Sequence, residues 1–217
     1  MEMPDDSTAQ TQSSDTAKPK VKLVDSVHRQ IRIGKKATYP FMPDSCFNQL
    51  VLGNPDSFRV FRLENGADMI KIGNDRQAMA WYNSRKTEEL QVAVTGNEKK
   101  GFYPYRFVLQ RVYRNGATLF PEKHEFVDKA NFISGHGIYL GMSVDYVENV
   151  YQSQTVTQWQ KGDTLYLQYN PEKKDEQYFT HYNYQSYSAI YKFVNDDLCR
   201  VEYTVQPENF EPTPEKD

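Results

Sequence analysis

A chain that carries the same strand, Leu-Gly turn and helix start twice must bury two similar helices, and this sequence has that plan at residues 50–58 and again at 137–151. In the second stretch Gly141 can adopt backbone angles closed to other residues. Ser143 can cap the helix by accepting a bond from a free amide, and Asp145 sits in the first turn, where the helix dipole favours an acid. Val144, Val147, Val150 and Tyr151 then recur at helical spacing, so one face is apolar. In the first stretch Asn54-Pro55 reads as a cap followed by the first helical position. The helix expected over residues 54–63 turns Phe58 and Phe61 inward and ends at Asn65-Gly66.

Two further matches extend the repeat. Gly53 and Gly141 are separated by 141 − 53 = 88, Tyr82-Asn83 and Tyr169-Asn170 by 169 − 82 = 87, and Tyr105-Arg106-Phe107-Val108 and Tyr191-Lys192-Phe193-Val194 by 193 − 107 = 86. Collinear matches at a nearly constant offset indicate a duplicated unit. Strands are expected at residues 21–33, 77–82, 89–95 and 102–114, the last with Tyr105, Phe107 and Leu109 on one side. In this alignment Ala78, Ala80 and Tyr82 correspond to Leu165, Leu167 and Tyr169 and face the helices. The fold class is then α+β: two tandem units, each a short helix packed on an antiparallel sheet. The boundaries are a disordered tether at 1–19, a first unit at 20–116, a connector with a helical turn after Pro121 at 117–131, a second unit at 132–207 and a tail at 208–217.

Residues 1–19 contain almost nothing apolar, so burial cannot offset the entropy of ordering them. Such a segment suits an exported protein tethered to a membrane, and periplasmic or outer-membrane-attached placement is expected if a leader precedes Met1; otherwise the chain is cytoplasmic. A net charge of −3 without a basic run excludes a nucleic-acid backbone as partner. No window approaches the length of a transmembrane span. Cys46 and Cys199 have no metal-ligand spacing, and both a disulfide and two independent buried thiols remain open.

The segment Gly137-Ile138-Tyr139-Leu140-Gly141-Met142-Ser143-Val144-Asp145-Tyr146-Val147, followed by an alternating strand, a turn and Tyr191-Lys192-Phe193-Val194-Asn195-Asp196-Asp197-Leu198-Cys199-Arg200-Val201, resembles a known helix-on-sheet module. That module belongs to beta-lactamase inhibitor protein and to the small lipoprotein of the outer-membrane barrel-assembly machinery. The resemblance covers residues 132–205 and, more loosely, 47–114. It implies a non-enzymatic, protein-binding module of the bacterial envelope that makes its contacts through the sheet face away from the helices.

Nothing in the sequence forms a catalytic constellation. His28, His124, His136 and His181 lack metal spacing, no nucleophile elbow or phosphate loop is present, and no cofactor is expected. Glu88-Glu89 and Asp196-Asp197 read as solvated loop ends. Most of the 16 Tyr, 12 Phe and 2 Trp must serve as core. Alternation nonetheless sends Met79, Trp81 and Tyr166 to the face opposite Ala80 and Leu167, together with Arg106, Val108, Ile190 and Lys192. The expected binding residues are Trp81, Arg106, Trp159 and Tyr166, with a protein partner. A glycan module stacking sugars on Trp81, Trp159 and Tyr166, helped by Gln158, Gln160 and Gln168, is the alternative. A hydrolase using His136 is a third reading.

Overall fold

The computed structural model describes residues 29–32, 43–66, 68–72, 76–97, 101–112, 125–151, 154–171 and 184–207. The tether, the tail, His28, His124, His181 and the turn after Pro121 lie outside these residues. The described part is α+β, mostly antiparallel sheet with two helices. Helix α1 (Pro55–Asn65) forms where expected: Asn54 accepts bonds from the amides of Asp56 and Ser57, Pro55 opens the first turn, and Gly66 ends it. Helix α2 (Val144–Val150) is capped by Ser143, whose side chain accepts from the amide of Tyr146.

The strands in chain order are β1 (Arg29–Arg32), β2 (Cys46–Phe47), β3 (Leu50–Val51), β4 (Ile70–Lys71), β5 (Arg76–Asn83), β6 (Glu88–Asn97), β7 (Gly101–Arg111), β8 (Glu125–Val127), β9 (Thr155–Lys161), β10 (Thr164–Tyr169), β11 (Tyr184–Val194) and β12 (Asp197–Pro207). β2 and β3 form a small hairpin, while the others make one ten-stranded sheet in the order β1-β9-β10-β11-β12-β7-β6-β5-β4, with β8 on β5. The expected boundary between units is therefore no boundary in the sheet, because β7 and β12 pair antiparallel from Arg106↔Thr204 to Gln110↔Arg200. Two other expectations change. The segment before α2 is a turn-rich loop rather than a strand, touching β2 through the single bridge Phe47↔Ser134. The connector supplies β8, which pairs parallel to β5.

Which face looks inward is reversed on β5. Met79 and Trp81, both fully buried, lie under α1, and the Trp81 ring meets Phe61 edge-on at 5.1 Å and 85° while its indole N–H donates to the Gly66 carbonyl at 2.9 Å. Ala78 and Ala80 face the other way and form a separate small cluster. Both faces of β5 are apolar, so alternation alone does not choose between them. The expected facing of Ala78, Ala80 and Tyr82 is off by one residue, and a one-residue shift moves every side chain of a strand to the opposite face. On β10 the expectation holds, with Leu167 and Tyr169 buried in the main core.

The two ends of the sheet share further geometry. Trp81 pairs with Leu90 and Leu90 with Leu109, while Tyr169 pairs with Ala189 and Ala189 with Tyr203. The Gly53 amide donates to the Pro104 carbonyl at 2.6 Å and the Gly141 amide to the Leu198 carbonyl at 2.9 Å. Pro104 and Leu198 precede Leu109 and Tyr203 by the same distance (109 − 104 = 5; 203 − 198 = 5). Each hairpin also slips register at the corresponding place, between Ala93 and Val94 and between Lys192 and Phe193. The matched segments Tyr105–Val108 and 191–194 lie on β7, between β6 and β12, and on β11, between β10 and β12. Tyr105, expected in the core, is only partly buried against it.

Gly53 and Gly141 have φ of 74° and 98°, backbone that a β-branched residue resists. Replacing either with Val should cost about 1–3 kcal/mol, with similar losses in thermal melts of the two variants. A loss confined to Gly141 would show that the junctions are not equivalent.

Under α2 the core is tyrosine. Tyr151 packs on Tyr169 at 4.9 Å and on Tyr191 at 5.6 Å. A chain of hydroxyls runs from Tyr151 to Tyr191, on to Tyr203 at 3.3 Å, and from Tyr203 to the Asp44 carboxylate at 3.2 Å. Asp44, 2 % exposed, also accepts from the amides of Gly135 and His136 and, through its carbonyl, from the Tyr187 hydroxyl. One aspartate thereby ties the loop before β2 and the loop before α2 to the sheet.

Two of the acids read as solvated are not. Glu88 is buried, accepts from the Phe132 amide at 2.8 Å, and has its carboxyl pushed up by burial. Glu89, 1 % exposed, accepts from the side-chain amides of Gln91 and Gln110 at 3.0 and 2.9 Å. Asp196 instead accepts from the Val144 amide at 2.9 Å, and Asp197 makes a two-point ion pair with Arg111 at 2.6 and 2.9 Å.

Candidate functional site

The face of the sheet away from the helices differs along its width. Over β5, β6 and the middle of β7 it is closed, with Ala78, Ala80, Glu89, Gln91 and Val108 all buried. Over β9 to β12 it is half-exposed, and this is where the expected site residues gather. Antiparallel pairing places Trp159 beside Tyr166, Tyr166 beside Lys192, and Lys192 beside Arg200. One residue pair along, Gln168 stands beside Ile190 and Ile190 beside Glu202.

The Trp159 and Tyr166 rings are stacked, with centroids 5.0 Å apart and planes at 1°. A directly opposed pair on neighbouring strands brings side chains close enough for such stacking, which holds both rings in one orientation. Beside them lies a shallow cavity of about 320 Å³ lined by Trp159, Tyr166, Ile190, Lys192, Arg200 and Glu202. Glu202 binds two guanidinium groups at once: Arg106 Nε donates to its Oε1 at 2.9 Å and Arg200 Nη2 to its Oε2 at 3.1 Å. Gln110 links this group onward, accepting from Arg200 Nη1 at 3.4 Å and donating to Glu89.

Three of the four expected binding residues, Arg106, Trp159 and Tyr166, therefore lie on this side of the sheet. Trp81 does not: it is on the helix side, without solvent exposure, and cannot reach a partner. Gln158 and Gln160 pair with Leu167 and Leu165 and lie on the opposite side from Trp159, so they do not flank its ring. Gln168 does share the Tyr166 side, where it donates to Ser188 at 3.1 Å. Sequence reasoning named Lys192 and Ile190 as neighbours on this face, and both line the cavity. Arg200 and Glu202 were missed because the pairing of β12 with β7 is non-local, and nothing in the local pattern reveals it.

His136 lies in a turn whose backbone amide is held by Asp44. Cys46, half-buried near the same turn, has its thiol pushed up by burial and by the Asp44 carboxylate, the reverse of an activated nucleophile. Both cysteines are free thiols, with Cys199 buried against the Lys192 carbonyl. Among the described residues no group of His, Cys, Asp and Glu could hold a metal ion, and no helix is long and apolar enough to cross a membrane. Comparison of the chain with protein-family models, with curated proteins and with solved structures returned no match.

Proposed function

We propose that this chain is a non-enzymatic protein-binding or scaffolding module of the bacterial cell envelope, engaging a protein partner through the half-exposed sheet face over β9 to β12. The observation that carries the reading is the mixed surface of Trp159, Tyr166, Ile190, Lys192, Arg200 and Arg106 on rigid strands. Interfaces concentrate their energy in Trp, Tyr and Arg, and a preformed stacked pair loses little rotamer freedom on binding. The envelope location rests on the resemblance of residues 132–205 to the inhibitor and assembly-lipoprotein module.

Within this reading the chain is two copies of one helix-on-sheet unit, fused edge to edge through β7 and β12. Equivalent glycine junctions and equivalent register slips support the duplication. Following the ladders, Trp81 takes the place of Tyr169, each lying under the helix of its own unit. Arg106 and Arg200 are then counterparts, related across the opposed pair Val108↔Glu202.

Sugar stacking is less well supported, since Trp159 and Tyr166 each spend one ring face on the other. The test is a photo-crosslinking residue at Tyr166 in the full-length protein, with one at Lys86 as control. Tyr166 should capture a discrete protein from the cell of origin, and Trp159→Ala should remove the product while leaving the melting temperature within a few degrees. Equal labelling from both positions, or a product indifferent to Trp159→Ala, would refute the site.

A further inference from the structure

We propose that the cavity beside the Trp159–Tyr166 pair is a carboxylate subsite, taking an Asp or Glu side chain from an acidic segment of the protein partner. This rests on the reading that the β9–β12 face is the one engaged. Its walls hold two cations, Lys192 and Arg200, against one carboxylate, Glu202. That carboxylate is already divided between Arg200 and Arg106, with one oxygen committed to each. Lys192 makes no ion pair among the described residues, although the residue is half-buried beside Tyr166 and Arg200. The local balance of Arg106, Lys192 and Arg200 against Glu202 is positive on a chain whose net charge is −3. Such a local excess of positive charge attracts acidic groups.

The shape of the cavity favours a side chain over an inorganic anion. Ile190 and Tyr166 form an apolar wall next to the two cations, matching the methylenes and terminal charge of a glutamate. Arg200 is also held in position before any ligand arrives, since Glu202 and Gln110 fix its guanidinium from two directions. Glu202 therefore has two opposed effects: it orients Arg200, and it repels an incoming carboxylate. The repulsion dominates where Lys192 supplies the main attraction, so removing the charge of Glu202 strengthens anion binding.

The experiment titrates the full chain at low salt with an oligoglutamate peptide, followed by tryptophan fluorescence, in which half-exposed Trp159 responds and buried Trp81 does not. Oligoglutamine and oligogalacturonate are titrated in parallel. Oligoglutamate alone among the peptides should bind, and binding should weaken as salt rises. Lys192→Gln should weaken it about three- to fivefold, whereas Glu202→Gln should strengthen it by a similar factor. A purely structural role for both residues would weaken binding in both variants. A flat oligoglutamate titration, a change of the same sign in both variants, or binding of oligogalacturonate with oligoglutamate silent would each overturn the proposal. If Tyr166 still crosslinks its partner in cells while neither charge variant alters that product, the subsite is refuted and the binding face stands.

Discussion

Above pH 10 this protein should lose stability steeply, because three buried phenols cannot ionise inside it. Tyr151, Tyr191 and Tyr203 are all held well above the usual tyrosine range, in each case first by burial. For Tyr191 the neighbouring phenols add to the rise, and for Tyr203 the Asp44 carboxylate does. A phenol whose folded value is raised contributes stability that is complete below the unfolded value of about 10. That contribution is lost as pH climbs toward the folded value, since only the unfolded chain releases the proton. Each such group removes about 1.4 kcal/mol per pH unit, and three acting together remove about 4 kcal/mol per unit. With a domain stability of about 5–15 kcal/mol, unfolding should follow within about one to four units.

Circular dichroism and phenolate absorbance, followed together, provide the measurement. The absorbance of these three residues should rise only with the loss of structure. Tyr191→Phe should reduce the alkaline slope by about a third, although at neutral pH it leaves Tyr151 and Tyr203 without their shared partner and costs about 1–2 kcal/mol. Complete phenolate formation in a protein that is still folded would show that the cluster is open to water.

The second large effect is expected at Trp81. Trp81→Ala should cost about 3–5 kcal/mol in urea unfolding, because a fully buried indole packed on Phe61 leaves a cavity that the sheet and α1 cannot close. Trp81→Phe retains much of the packing but leaves the Gly66 carbonyl without its donor, a loss of about 1 kcal/mol beyond the volume change. Trp159→Ala, removing a half-exposed ring, should cost less than about 1 kcal/mol. The contrast assigns the two tryptophans to different roles, one to the core and one to the surface. Equal losses at both positions would contradict the inward orientation of Trp81.

Local structure was legible from local chemistry. Asn54-Pro55 and Ser143 set the helix starts, and Asn65-Gly66 ended α1, because caps depend on residues only a few positions apart. The two Leu-Gly junctions were recognisable for the same reason, and both glycines do occupy left-handed backbone. The alternation that turns Leu167 and Tyr169 inward, with Tyr166 on the other side, was readable from β10 itself. Three things were decided only by tertiary structure. The side chosen by β5 depended on α1 covering Trp81, since Ala78-Met79-Ala80-Trp81-Tyr82 offers two apolar faces and a one-residue slip exchanges them. The pairing of β7 with β12 joined two hairpins about a hundred residues apart, and a contact of that separation leaves no period in the sequence. From that pairing came the group of Arg106, Arg200 and Glu202, so a site whose aromatic half was visible in the sequence acquired its charged half only through the pairing of β7 with β12.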